Sequence, residues 1–144
     1  MQALKRRSAP HSKVLIVDDQ EPMRLLLAQY VGQDMRAEVT LAGTCEAALR
    51  LARESTYDVI LLDLMMPGIG GVEVLRRIRA DSANRFTPIV VVSILAGAPE
   101  GGEHMTIVHA KALGANAVVP KPVHRGYLLA ALKAQLGAEV CAEN

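Results

Sequence analysis

The 144-residue chain contains no tryptophan, one phenylalanine and three tyrosines. That is too few aromatic faces to build a stacking platform for nucleic acid bases. Charge of one sign is missing too: the net charge is +1 and acidic and basic residues are interspersed. Bulk electrostatics therefore give no footprint for DNA or RNA, and no nucleic-acid partner is expected. Cys45 and Cys141 are the two cysteines, too few and too separated for a metal motif or a disulfide framework. No apolar run approaches the ~18 residues that a membrane span requires. Lys5, Arg6 and Arg7 lie near the N-terminus without an apolar stretch after them, so this is not a signal peptide. The expectation is a cytoplasmic protein with no membrane partner.

What remains is a chain about half apolar, of a length that suits one domain with a substantial core. Short β-like runs alternate with helical stretches, the pattern of βα repeats around a parallel sheet. Lys13 to Val17 reads as the first strand. Met23, Leu26, Leu27, Tyr30 and Val31 recur on one face of a first helix, with Pro22 in its opening turn. Glu38 to Leu41 is a weaker second strand, and Thr44 can cap a second helix whose face is Ala48, Leu49 and Ala52. Tyr57 to Leu62 is an uninterrupted apolar strand, as expected where both sheet faces are covered. Pro67 to Gly71 turns the chain into a third helix marked by Val74, Leu75 and Ile78.

Pro88 opens a fourth strand, Ile89 to Val92, and the Gly/Pro/Ala-rich stretch from Leu95 to Gly102 reads as a loop. Met105, Val108, Ala112 and Leu113 give the fourth helix, ended by Gly114. Ala117 to Val119 is the fifth strand. Leu128, Ala131, Leu132 and Leu136 form the face of the fifth helix. The organisation is a flexible arm over 1–12, one domain over 13–137 and a short tail over 138–144. No residues are left for a second domain, such as a DNA-binding output.

Five residues stand at the C-terminal ends of these strands: Asp18 and Asp19, Asp63, Ser93 and Lys121. In a parallel sheet those ends share one edge, where ligand sites form at the point of strand-order reversal. Three carboxylates, a hydroxyl and an ammonium converging there suit a divalent cation and a phosphoryl group. Taken singly each residue has a plainer explanation. Asp19 could cap a helix, Asp63 and Ser93 could be polar strand ends, and Lys121 could be a surface lysine.

Four motifs appear in order: Val-Asp-Asp at 17–19, Leu-Leu-Asp-Leu-Met-Met-Pro-Gly at 61–68, Val-Val-Ser at 91–93 and Pro-Lys-Pro at 120–122. With them the chain resembles the receiver domain of two-component response regulators, in its stand-alone chemotaxis and phosphorelay form, over about Lys13 to Leu136. The resemblance implies an α/β fold with a doubly wound, five-stranded parallel sheet in the flavodoxin-like order 2-1-3-4-5, flanked by five helices. It implies that Asp63 is the phosphoacceptor, whose carboxylate attacks phosphorus to give an acyl phosphate. Such transfer relies on positioning and charge neutralisation, and Mg²⁺ takes one or two carboxylates plus phosphate oxygen and water. By resemblance Asp19 and Asp63 hold the ion (Mg²⁺, with Mn²⁺ as a substitute), Asp18 acts through water and the Met65 main-chain carbonyl adds an oxygen. Three clustered acids repel, so without metal at least one should have a raised pKa.

By the same resemblance Lys121 contacts phosphoryl oxygens, aimed by a cis bond to Pro122, and Ser93 donates to the phosphoryl group once it has arrived. The implied partners are a sensor histidine kinase or histidine phosphotransfer protein and a downstream target. The target would be read by the face of helix four, strand five and helix five; homodimerisation through helices four and five is left open. Such a domain is not a turnover enzyme beyond self-phosphorylation from small donors and autodephosphorylation.

Three features depart from the family pattern. Ile94 stands where a small residue is usual and could narrow donor access. Val118 stands where Tyr or Phe usually rotates inward on activation. The stretch from Ser93 to Gly114 is several residues longer than usual. Met65 and Leu95 are apolar at positions that influence an attacking water, which predicts a long-lived phosphoryl group. An alternative follows from the first two: a degenerate receiver serving as a phosphorylation-independent interaction or dimerisation module. A hydrolase of the haloacid-dehalogenase type would carry a second acid at Met65, and a flavin site would want a Ser/Thr-rich loop where Asp18 and Asp19 stand. His11, His104, His109 and His124 read as solvated or locally packed; His104 and His109, five apart, fall on different faces of a helix.

Overall fold

The computed structural model describes residues 12–94 and 107–143. Five strands, β1 (Lys13–Val17), β2 (Glu38–Ala42), β3 (Val59–Asp63), β4 (Ile89–Ser93) and β5 (Ala117–Pro120), alternate with five helices. The helices are α1 (Glu21–Met35), α2 (Cys45–Glu54), α3 (Gly71–Ala80), α4 (Ile107–Ala112) and α5 (Arg125–Glu143). All strand pairs are parallel and the order is β2-β1-β3-β4-β5, as expected from sequence. Every residue of β3 and β4 is buried, because helices cover both faces of a parallel sheet.

The strand period of two divides the core. Leu15, Val17, Ile60, Leu62, Ile89, Val91 and Val118 pack with Ala48, Leu49 and Ala52 of α2, Val74, Leu75 and Ile78 of α3, and Ala110 of α4. Val14, Ile16, Leu61, Val90 and Val119 face the other way, onto Leu27 and Val31 of α1 and Leu128 and Leu132 of α5. The strand order reverses between β1 and β3, where a crevice opens at the C-terminal edge.

Local chemistry fixes the element ends. Pro22 lies in the first turn of α1, Thr44 Oγ1 accepts from the Ala47 amide at 3.0 Å, and Gly114 takes φ +116° just beyond α4. Two expectations need correction. β3 begins at Val59 rather than Tyr57, because the Tyr57 amide donates to Asn84 Oδ1 at 2.8 Å and not to a neighbouring strand. In α4, Val108 is 79% exposed and Ala110 is the residue turned to the core; a short helix with mixed apolar positions gives periodicity too little length to choose a face. The α5 backbone runs to Glu143. The expectations for His11, Leu95, His104, Met105, the basic cluster at 5–7 and the loop over 95–102 lie outside the described residues.

Candidate functional site

The acids come together through the turns that follow their strands. The Asp18 amide donates to Ala42 O of the adjacent strand at 3.1 Å. Its Oδ1 then accepts from the Gln20 amide at 2.9 Å, a local side-chain turn that Asp favours. Asp63 repeats the device, with Oδ1 accepting from the Met65 amide at 3.0 Å. The chain then turns through Gly68 and Gly70, both at positive φ. Gly71 presses against β3 so closely that a Cβ there would lie 2.4 Å from Asp63 O. Only glycine permits that approach, which packs the turn against the main chain at the end of β3.

From the other side, Ser93 pairs in register with Pro120, and Ser93 O accepts from the Lys121 amide at 3.0 Å. The Lys121–Pro122 bond is cis. Lys121 Nζ lies 3.4 Å from Asp63 Oδ2 and 4.0 Å from Asp18 Oδ2. One carboxylate oxygen each from Asp18, Asp19 and Asp63 falls within 4.8 Å of the others. The residues expected from sequence thus converge at one place: Asp18, Asp63 and Ser93 are buried, and Asp19 and Lys121 are half-buried.

Charge at this site is under-compensated. Burial pushes the Asp63 carboxyl above its ordinary range; the Met65 hydrogen bond and Lys121 oppose this only in part, and Asp18 adds to it. Asp18 is raised for the same first reason, with Asp19 contributing repulsion and Gln20 and Lys121 opposing. Asp18 Oδ2 is buried with no hydrogen-bond partner. A buried carboxylate oxygen left unpaired is costly. Hard oxygen donors around an orphaned carboxylate oxygen suit a divalent cation such as Mg²⁺.

The side chains around the acids are less uniform. Met66 is buried, and Met65 is 55% exposed. Ile94 is 52% exposed. Val118 is buried and lines a groove of about 380 Å³ with Lys111, Ala117, Tyr127, Ala130 and Ala131, between α4, β5 and α5. His109 and His124 are on the surface. Arg24 went unnoticed in the sequence: its Nη1 donates to Asp18 O at 2.7 Å. A single arginine in the first turn of a helix carries no pattern that could have found it.

Residues 14–133 match the family model described as the response regulator receiver domain. The Probable chemotaxis protein CheY of Rhizobium etli is 30% identical over 126 residues, covering 88% of this chain and 93% of that protein. In two other relatives, 42% and 49% identical over 82 and 74 residues, the chain spans only 32% and 6% of their length. Among solved structures, chemotaxis response regulator CheY4 of Vibrio cholerae superposes with a TM-score of 0.74 at 32% identity, covering 88% of this chain and 99% of that one. The receiver domain of sensor histidine kinase PA1611 from Pseudomonas aeruginosa PAO1 gives 0.72 at 27%, covering 89% and 99%, and has a magnesium ion coordinated in its active site cleft.

Proposed function

The chain belongs to the response regulator receiver domain family of two-component systems, and from that premise we propose that Asp63 is its phosphoacceptor. The observation that carries this is the ammonium of Lys121 held 3.4 Å from Asp63 Oδ2, beside the unpartnered oxygen of Asp18. An Asp63 carboxylate oxygen attacks the phosphorus of a phosphohistidine; the O–P bond forms as the N–P bond breaks, and the electron pair returns to the imidazole nitrogen. Burial keeps Asp63 poorly solvated, so its carboxylate has little hydration to shed before attack. Lys121 faces the incoming phosphoryl oxygens as a compact positive charge. Ser93, at the end of β4, donates its hydroxyl to the phosphoryl group once transferred.

Asp18, Asp19, Asp63 and the Met65 main-chain carbonyl are the groups that would hold Mg²⁺ or Mn²⁺. When bound, the ion neutralises the negative charge that carboxylate and phosphoryl oxygens bring together. The donor would be a cytoplasmic histidine kinase or phosphotransfer protein, and the readout a target protein, or a second copy, on the face of α4, β5 and α5. That face carries the groove around Val118 and the 79% exposed Val108. A second function, a receiver retained as a phosphorylation-independent interaction module, is favoured by Val118 alone, which has no ring to rotate.

Intact-mass spectrometry after incubation with acetyl phosphate and Mg²⁺ separates the two. The expected result is one added phosphoryl group, absent in Asp63→Asn and absent when the metal is chelated. Labelling retained in Asp63→Asn would refute Asp63 as acceptor. No labelling of folded protein, nor of Ile94→Ala, would favour the interaction module.

A further inference from the structure

We propose that Arg24 is a positioning residue for the acidic site, and that Gly43 is glycine to leave room for it. This rests on the assignment of Asp18, Asp19 and Asp63 to metal binding. Arg24 sits in the first turn of α1, its amide donating to Gln20 O at 2.9 Å, so its backbone is fixed directly after the acidic turn. Its guanidinium reaches back and donates from Nη1 to the main-chain oxygen of Asp18 at 2.7 Å. The Asp18 amide is held in turn by Ala42 O at 3.1 Å. The Asp18 residue is therefore clamped at both main-chain polar groups, by α1 on one side and the end of β2 on the other.

Gly43 supplies an independent observation. A Cβ at that position would lie 2.8 Å from Arg24 Nη1 and 3.2 Å from Arg24 Cζ. Gly43 is not among the glycines at positive φ, so its backbone does not demand glycine. The contact is with the far end of a flexible side chain, so an alanine there would displace the guanidinium rather than strain the backbone. An arginine loses up to about 2 kcal/mol of rotamer freedom when fixed, and a charge-assisted hydrogen bond offsets that cost. What is gained is a rigid turn from which the Asp18 and Asp19 carboxylates project at a set separation.

Variants that keep the charge separate positioning from simple electrostatics. A guanidinium is always charged; as a bare charge it repels a cation but also favours the ionised Asp18 carboxylate, so Gly43→Ala and Arg24→Lys, which keep the charge, carry the distinction. As a clamp, its loss weakens binding. Groups that orient metal ligands typically change affinity by roughly 10–100-fold when removed.

The test is Mn²⁺ affinity of the full chain, read from the free-ion paramagnetic resonance signal without any phosphodonor. It is paired with hydrogen exchange at the Asp18 and Gln20 amides. Arg24→Ala and Gly43→Ala should each weaken Mn²⁺ by about tenfold and speed exchange at both amides. Gly43→Ala is the sharper variant, since it keeps the charge and only displaces it. Arg24→Lys, which keeps stem and charge and is expected to fold, should bind more weakly than wild type. Arg50→Ala, altering an exposed pair with Glu54 on α2, should match wild type. Arg24→Ala binding Mn²⁺ as tightly as wild type or tighter, or Gly43→Ala leaving affinity unchanged, would overturn the clamp. If wild type is labelled by acetyl phosphate while the variants bind metal normally, the clamp alone fails. If wild type binds no divalent cation, the clamp falls together with the metal site.

Discussion

The two ends of the sheet bury polar side chains equally deeply and treat them in opposite ways. At the N-terminal edge Asn84 is fully buried, and its Nδ2 donates to Ala52 O and Ser55 O, both at 2.7 Å. Its Oδ1 accepts from the Tyr57 amide at 2.8 Å and lies 2.9 Å from Thr87 Oγ1. Nearby, Arg79 has no carboxylate partner among the described residues but donates to Gly114 O, Arg85 O, Thr87 O and Asn116 Oδ1. At the C-terminal edge Asp18 is just as buried, yet one of its oxygens has no hydrogen-bond partner among the described residues. Two acids share one ammonium there. The first end is neutral or saturated and serves to hold α2, α3 and α4 onto the strands. The second keeps uncompensated charge, which is useful only if something else arrives to neutralise it.

The largest effect should come from breaking the saturated end. Asn84→Ala removes one side chain and orphans two carbonyls and an amide, while the Thr87 hydroxyl keeps Tyr57 O at 3.2 Å. Each buried unsatisfied group costs about 1–3 kcal/mol before relaxation and water entry, so a net loss of about 3–4 kcal/mol is expected. That is a large share of the ~5–15 kcal/mol that holds a domain together. Urea unfolding would record it as a lowered midpoint. Labelling at Asp63 per folded molecule should not change, since the two ends share no side chain. A loss under about 1 kcal/mol would mean that water replaces Asn84 readily and that this end is no staple.

The opposite sign is expected at the other end. Asp63→Asn removes a buried, under-compensated charge, so without divalent metal it should stabilise the protein by about 1–2 kcal/mol. The pH dependence follows from the raised carboxyls of Asp63 and Asp18. A carboxyl whose folded pKa lies above the ordinary 3.8 binds its proton more tightly in the folded state. It favours folding fully below about pH 3.8, and that contribution is lost as pH rises through the raised value. Wild type should therefore lose stability relative to Asp63→Asn over that interval and run parallel to it above. Asp34, lowered by its hydrogen bond to Arg125, titrates in both proteins and cancels in the difference. Millimolar Mg²⁺ should reverse the order, because a ligand that binds only the native state stabilises it by mass action. A metal-free Asp63→Asn less stable than wild type would show that Lys121 already compensates the acids.

The same contrast explains what the sequence made legible. β3 and β4 are apolar at every position before their terminal Asp63 and Ser93, and such runs report burial on both faces directly. The site was legible because its members stand at strand ends in short motifs, so the topology alone collects them. Asn84 and Arg79 act on partners 3 to 37 residues away, mostly main-chain groups, and no residue type is required of most of those partners. Arg24 and Gly43 are likewise linked only by shape. Val108 misled because a six-residue helix spans under two turns, too few for periodicity to separate the core face from the exposed one.

The smallest expected effect touches the functional end without altering its charge. Ile94 follows Ser93 directly and is half exposed while Ser93 is buried, so its branched side chain borders the approach to β4's end. Trimming a half-exposed apolar side chain removes little burial, and surface changes of this kind stay within about 0.5 kcal/mol. Access for a small donor should widen, so Ile94→Ala should be labelled by acetyl phosphate several-fold faster than wild type, on the order of 1 kcal/mol in barrier. Urea midpoints for the two proteins should coincide. The comparison is kinetic, made at equal Mg²⁺ with Asp63→Asn as the blank. Equal rates would mean that the Ile94 side chain turns to solvent and leaves the entrance clear. The departure at Ile94 would then concern only the surface offered to partners, and the rate of labelling would be set by Asp63, Lys121 and the metal alone.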